Sequence, residues 1–547
     1  MKAFRPRLSL FGRVGHRCIN SASASLVVPS TSAHINLHYE NGCCHVVSCN
    51  PVTSEHYLLQ LRMHKDTTKR PRYDIMLPSE AVEGLKNALI RCSRSPKQLQ
   101  HEADRLYCAL EQRRFPASPA EVREARKQIE TKLKEDFEHF LDDDSFNEKI
   151  QKGREEYISQ EVDKLLKRAK YNWKPLDFDS REAAAIYCLA RLSANYAEIH
   201  RVLQELPYSE FTPESVLDYG SGSGAGFWAS HMVWGKKVKE YHLVEPIDEL
   251  SRFAVDIMRG SGDGEQRPLV HPNVILRRHL IPSPSHCFDV VIAHRVLCEL
   301  PSHEDRNELI KTLWNRTNRY LIIIDSDKQS SFEAVLEARD FILVGGNEVH
   351  ADETRELLSN RGLLTEEVES ILNDSSISHF ERVSRLEEKL PTDIVLPTRL
   401  PRGFVFAPCP HDQGCPKLGT VNRNNCSFST RWRELRADGK RSSSGDGTSL
   451  NEFSYVIMEK GTRGGVDGRS RILKKKSGSG RFSCTLCTPF SGIQHFVVPK
   501  KAGLIYKATK NRKAGELFPC KIETLATESE FDTYFDAIKE VEQNKEE

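Results

Sequence analysis

The stretch "SVLDYGSGSGAGFWAS", residues 215–230, decides how this chain is read. It runs an apolar strand into Asp218, passes Gly220, Gly222 and Gly224, and opens a helix at about Ala225. Glycines at those places permit a tight turn and let backbone N–H groups and the helix N-terminus approach a ligand closely. The next apolar run, "EYHLVEP", ends in Glu245, a carboxylate placed to accept two ribose hydroxyls. Working outward, "NVILRRH", "FDVVIAH" and "RYLIIID" add three more short apolar runs with enough chain between them for crossover helices. Five such runs between residues 215 and about 345 predict a parallel, doubly wound sheet.

An acidic residue two places before the first glycine of G-S-G-S-G resembles motif I of class I S-adenosylmethionine methyltransferases more than a nicotinamide fingerprint. That resemblance implies that Asp218, Gly220, Gly222 and Gly224 cradle the methionine end of S-adenosylmethionine and that Glu245 holds its ribose. Catalysis is less legible. The Asn/Asp-Pro-Pro-aromatic string of base N-methyltransferases is replaced by "FDVVIAHRVLCELP", and no Pro-Pro pair occurs in the chain. "APC" at 407–409 imitates the Pro-Cys nucleophile of RNA 5-methylcytosine enzymes but comes one strand and an insertion too late. Cys298 and His294 lie nearer the expected cleft, where a lone Cys or His is usually packing, so no catalytic residue is assigned.

Composition sets the outer limits. The chain has 547 residues, 38 % hydrophobic and 29 % charged, with a formal net charge of +2, all within globular ranges. No apolar string approaches the roughly 20 residues needed to cross a bilayer. Residues 1–30 carry Lys2, Arg5, Arg7, Arg13 and Arg17 with many serines, and no acid precedes Glu40, a mitochondrial transit composition. Fifteen cysteines without a secretory h-region argue against a disulfide framework and for metal binding.

The remaining chain divides by pattern. A variable segment spans 31–78, where "CCHVVSC" is read as incidental. Apolar residues at helical spacing among many charges predict a helical domain at 79–179. The Rossmann-like domain covers 180–345, a helical insertion 346–398, and a β-rich cysteine and RNA-binding domain 399–525, followed by an acidic C-terminal helix at 526–547. In the β-rich region Cys409 and Cys415 form C-x5-C, each followed by proline, with Cys426, Cys484 and Cys487 beyond. Such a set supplies the four thiolates of a tetrahedral zinc or an iron–sulfur cluster, and spacing does not choose between them. From Arg463 to Lys513 thirteen basic residues stand against one acid, Asp467. This strip can neutralise RNA phosphates, with Tyr506 or Phe482 stacking on an unpaired base.

Taken in order, "AAAIYCLARLSANYAEIHRVLQEL", "VLDYGSGSGAGFWA", "VIAHRVLCELP", "LEARDFIL", "GFVFAPCPHDQGCPKL", "CSFS", "FSYVIMEK" and "LCTP...IQHFVVPKK" resemble the methyltransferase-like family of mitochondrial small-subunit ribosome assembly proteins. The likeness covers roughly residues 180–520. It implies an α/β, Rossmann-like class I S-adenosylmethionine methyltransferase fold with an N-terminal helical domain and a small C-terminal β-rich metal-cluster domain. It also implies a mitochondrial matrix protein that binds small-subunit rRNA and ribosomal proteins, not DNA or membrane, and a 4Fe-4S cluster on Cys409, Cys415, Cys426 and Cys487, with Cys484 a spare neighbour. The string "DSDK" at 325–328 departs from the family's Glu-x-Gly-Thr-like pattern, which makes binding the leading expectation. An active rRNA methyltransferase is the alternative, and a zinc-stabilised RNA-binding protein follows it.

Overall fold

A computed structural model describes residues 32–34, 43–49, 56–63, 74–113, 119–137, 148–168, 178–207, 209–260, 268–283, 285–300, 302–418, 425–440, 446–464, 469–489 and 492–524. The expected transit segment and C-terminal acidic helix lie outside these residues. In chain order come β1 (Ser32–His34), β2 (Cys43–Cys49) and β3 (His56–Met63), then α1 (Ser79–Ile90), α2 (Pro96–Gln112), α3 (Pro119–Phe137), α4 (Glu148–Arg168) and α5 (Arg181–Leu203). The chain clusters into two compact units, one of residues 74–338 and 430–453, the other of residues 1–73, 339–429 and 454–547.

In the first unit the five expected strands form: β4 (Ser215–Tyr219), β5 (Glu240–Val244), β6 (Val274–Arg277), β7 (Phe288–His294) and β8 (Thr317–Ser326). Their order is β6-β5-β4-β7-β8, every neighbouring pair is parallel, and strand order reverses between β4 and β7. Val290, Val291 and Ile292 of β7 and Ile322, Ile323 and Ile324 of β8 are fully buried, as the unbroken apolar runs of a sheet covered on both faces require. Between the strands lie α6 (Ala225–Trp234), α7 (Asp248–Met258) and α8 (His303–Asn315).

The helical region starts by rule. Ser95 and Gln98 close a reciprocal capping box on α2 with Pro96 at its first position, and Ser180 caps α5 through the Ala183 N–H at 3.3 Å. Helix α1 crosses α7 so closely that a Cβ on Gly84 would sit 2.0 Å from the Ile257 carbonyl oxygen, which explains the glycine.

Helix α5 is buried along nearly its whole length, and it carries a carboxylate into the interior. Glu198 accepts from His294 Nε2 at 2.8 Å, from Arg295 Nη2 at 2.8 Å and from Asn451 Nδ2 at 2.8 Å, while the Asn451 Oδ1 accepts from Trp432 Nε1 at 3.0 Å. Burial alone would raise its pKa, but the Arg295 charge and the His294 and Arg295 hydrogen bonds overcome it and hold the carboxyl well below the usual range. Arg295 has φ +53°, a left-handed conformation that costs a side-chain-bearing residue about 1–2 kcal/mol, and its ion pair with Glu198 holds it there.

In the second unit α9 (Gln329–Asn347) contributes its residues from Arg339 on, and α10 (Ala351–Asn360), α11 (Glu366–Asn373) and α12 (His379–Lys389) close a small core on Leu358, Val368, Leu372, Val383 and Leu386. The last three of these helices fall within residues 346–398, the stretch read from the sequence as a helical insertion. Strand β9 (Gly403–Ala407) pairs antiparallel with the later half of β11 (Thr448–Lys460); β10 (Phe428–Arg433), most of which belongs to the first unit, comes before β11 in the chain. A seven-stranded sheet of order β1-β14-β13-β12-β15-β3-β2 adds β12 (Arg469–Gly478), β13 (Arg481–Thr488), β14 (Gly492–Pro499) and β15 (Leu517–Thr524). The segment read as variable therefore supplies three strands to the C-terminal sheet. Helix α13 (Leu504–Lys510) packs on one face, and Lys475 Nζ reaches the Thr509 and Lys510 carbonyls at 2.9 Å each and also the Arg512 carbonyl, satisfying the orphan acceptors of the helix end.

Replacing Glu198 by Gln leaves Arg295 buried without its counter-charge. The expected loss is about 3–5 kcal/mol of stability in the first unit, the usual result of breaking a buried pair, read as an earlier denaturant midpoint. An unchanged midpoint would show the network to be dispensable.

Candidate functional site

The glycine loop sits where strand order reverses, at the carboxyl ends of β4 and β7, the place where open α/β sheets bind ligands. Asp218 is buried and accepts the Phe227 N–H at 3.2 Å, so it caps the first turn of α6. A Cβ on Gly226 would fall 2.4 Å from the Asp218 carboxyl carbon; this fourth glycine is a requirement that the sequence reading passed over. Gly220, Gly222 and Gly224 all have positive φ, as a loop folded back on its own strand demands. Glu245 accepts the Gly222 N–H at 2.9 Å on one oxygen and the Ile247 N–H at 3.1 Å on the other. A carboxylate offers about four lone-pair sites, so acceptor capacity remains for hydroxyls.

Burial pushes the Asp218 carboxyl up to about 7, with the nearby Glu245 charge adding to it, and burial raises Glu245 as well. Two buried carboxylates at one crevice favour a cationic ligand. The crevice is narrow. Val296 Cγ2 would lie 2.7 Å from a Cβ on Gly220, and the Tyr187 ring packs near Gly222.

Beside the crevice is a cavity of about 60 Å³ lined by Tyr187, Arg191, Arg295, Cys298, Asp325 and Lys328 among others. Arg191 is buried against the Tyr107 ring and paired to Glu111 at 2.8 Å. Neither of the two nucleophile or base candidates is poised for chemistry here. Burial and the neighbouring Asp325 and Glu299 charges hold the Cys298 thiol protonated, and His294 is committed to Glu198.

The thiols are brought together within the second unit. Cys487 lies on β13, Cys409 and Cys415 follow β9, and Cys426 precedes β10. After burial, the largest influences on Cys487 are Cys409, Cys426 and Cys415, and all three push its pKa in the same direction, well above the thiol range. Burial likewise lifts Cys409 to about 11 and Cys426 to about 12. Cys484 is three residues from Cys487 on the same strand and so points to the other face, into the apolar core with Leu486, Phe496 and Phe518.

Three side chains around the thiols escaped the sequence reading. His411 Nε2 lies 3.3 Å from Cys487 Sγ, and its Nδ1 faces the Gln413 carbonyl at 3.2 Å. Buried Arg471 donates to the Pro408 and Gly515 carbonyls at 3.1 Å each, and Arg339 donates to the His411 carbonyl at 3.4 Å. Both guanidinium charges draw the Cys409 thiol downward. Only the placing of His411 between Cys409 and Cys415 hinted at any of this.

The basic strip separates by face. Lys474 and Lys476 of β12 and Arg481 of β13 are exposed, as are Lys500, Lys507, Lys510 and Lys513. Arg471, Lys475 and Arg463 are instead spent inside the fold, the last in a two-pronged pair with Asp412 at 2.9 Å. The stacking role for Phe482 is overturned: it is buried in the core against Tyr506, ring centroids 4.7 Å apart, under the Lys475 ammonium.

The family model described as mitochondrial small ribosomal subunit Rsm22 matches residues 181–358 and 366–519. The human mitochondrial ribosome assembly protein METTL17 is 26 % identical over 464 residues, 84 % of this chain and 85 % of that protein. A fission yeast protein, Rsm22-cox11 tandem protein 2, is 20 % identical over 61 % of this chain and 42 % of its own length. Among solved structures, the Synechocystis magnesium protoporphyrin IX methyltransferase aligns with 53 % of this chain and 90 % of its own at 10 % identity and TM-score 0.23. A putative methyltransferase from Thermoplasma acidophilum aligns with 46 % and 69 % at 13 % identity and the same TM-score of 0.23.

The Asp218 pKa fixes a pH signature. The folded state holds its proton up to about 7 whereas the unfolded chain releases it near 3.8, so stability from this group is greatest in acid and falls as pH rises between those values, by on the order of 4 kcal/mol. Asp218→Asn is expected to flatten that decline in denaturation curves measured from pH 4 to 8. An identical slope in both proteins would contradict it.

Proposed function

Because the chain belongs to the mitochondrial small ribosomal subunit Rsm22 family, we propose that it is a mitochondrial-matrix assembly factor that binds small-subunit rRNA and ribosomal proteins, with a 4Fe-4S cluster on Cys409, Cys415, Cys426 and Cys487. The observation that carries the reading is the mutual influence of four thiols drawn from three separate segments. One buried and three half-buried thiolates at one place repel one another unless a cation offsets them, and a four-thiolate cluster still carries net negative charge that Arg471, Arg339 and Lys417 oppose.

Proline directly after Cys409 and after Cys415 matches the Cys-Pro usage of iron–sulfur proteins and supports a cluster over zinc. When bound, the cluster would cross-link β13 to the loops after β9 and before β10. The exposed Lys474, Lys476 and Arg481 would then meet phosphates on a fixed surface.

S-adenosylmethionine would be held by Asp218, Gly220, Gly222, Gly224 and Glu245, its sulfonium charge answering the two buried carboxylates. The cofactor supplies an electrophilic methyl group; this chain's residues supply recognition. With Cys298 and His294 both unsuited to proton transfer, binding is the main work. A site-specific methyl mark made by the purified protein and lost in Asp218→Ala would establish the alternative, an active rRNA methyltransferase.

Anaerobically purified protein is expected to contain iron and acid-labile sulfide in equal amounts. Cys487→Ser should lose both, and Cys484→Ala should keep them. A single zinc with no visible absorbance would reject the cluster. For RNA, Lys474→Glu with Lys476→Glu should weaken binding across sequences and reduce the slope of log affinity against log salt by about 0.7 for each phosphate no longer neutralised. An unchanged slope would remove this face from the interface.

A further inference from the structure

A cluster of side chains able to hold a metal ion lies in the first unit. Glu240 and His242 are alternate residues of β5 and so share a face, and His286 lies in the segment leading into β7. One carboxylate oxygen and one nitrogen from each imidazole lie within 4.8 Å of one another.

The hydrogen-bonding pattern marks this trio as more than an ion pair. His242 is 3 % exposed, and its Nε2, although 3.3 Å from Glu240 Oε2, has no hydrogen-bond partner. His286 Nε2 is likewise buried with no partner. A buried polar nitrogen left unsatisfied is a net cost to the fold, and both imidazoles of this trio carry one. Aromatic packing fixes the rings: their centroids are 5.1 Å apart, and each stands 4.8 Å from that of Phe288.

We propose that Glu240, His242 and His286 bind a divalent transition-metal ion of the zinc type through two imidazole nitrogens and one carboxylate. Two nitrogens and an oxygen suit zinc, with bonds of about 2.0–2.2 Å that place donors about 3.3–3.5 Å apart, within reach of a small side-chain rotation. The fourth position opens to solvent, because Glu240 and His286 are only half-buried. The site stands where β5 begins, and the cofactor crevice stands where β4 and β7 end, in a parallel sheet. The ion therefore works as a fastener that ties the segment before β7 to β5, and takes no part in chemistry at the glycine loop.

The test uses the full-length protein and Co2+ as a spectroscopic substitute for Zn2+. Wild type is expected to show ligand-field bands that survive Cys487→Ser and vanish in His286→Gln, with thiolate charge-transfer bands untouched by the His286 change. Zn2+ should raise the unfolding temperature of wild type and of Cys487→Ser, while His286→Gln and Glu240→Gln should bind Zn2+ at least about tenfold more weakly at this site. The half-exposed positions of these two residues make folding of the variants checkable by their metal-free unfolding temperature. Cobalt uptake showing thiolate bands alone, or equal metal affinity in folded His286→Gln, would overturn the proposal.

Discussion

A single buried carboxylate organises the first unit. Glu198 comes from the helix before the sheet, and its partners come from the end of β7 and from a strand more than 250 positions later. Removing a charge from water is costly, so it persists only because each oxygen meets at least one donor and Arg295 supplies the opposite charge. The same ion pair holds Arg295 in a left-handed backbone conformation immediately beyond β7. The chain direction after the switch point, and with it the wall of the crevice formed by Val296, follows from that pair.

The strands were legible because burial on two faces leaves unmistakable apolar runs. The glycine loop was legible from its spelling. What escaped were requirements set by neighbours distant in sequence. Nothing near Gly226 announces that the Asp218 carboxylate occupies the space of its missing side chain. Arg471 reads as one more cation in a basic strip, yet two carbonyls hold it inside the fold. Phe482 looked available for stacking because its neighbours are Arg481 and Ser483, but strand alternation turns it to the core. Glu240 and His242 drew no notice because the third member of their group arrives more than forty residues later.

The thiols illustrate the same limit in reverse. Their types and spacing suggest a shared centre; the choice of Cys487 over Cys484 rests on resemblance, and the pleat of β13 turns the two thiols to opposite faces. Residues three apart on a strand face opposite ways, so only one of that pair can look toward Cys409 and Cys426 while the other fills apolar space.

The pairing of β3 with β15, from Leu59–Thr524 to Met63–Cys520, joins the beginning of the chain to its far end. Any head-first order of emergence delivers β2 and β3 long before the strand that completes them, and their hydrogen-bonding edge stays open while more than four hundred residues follow. Such a topology makes this sheet late to close, with its early hairpin an unpaired edge in the meantime.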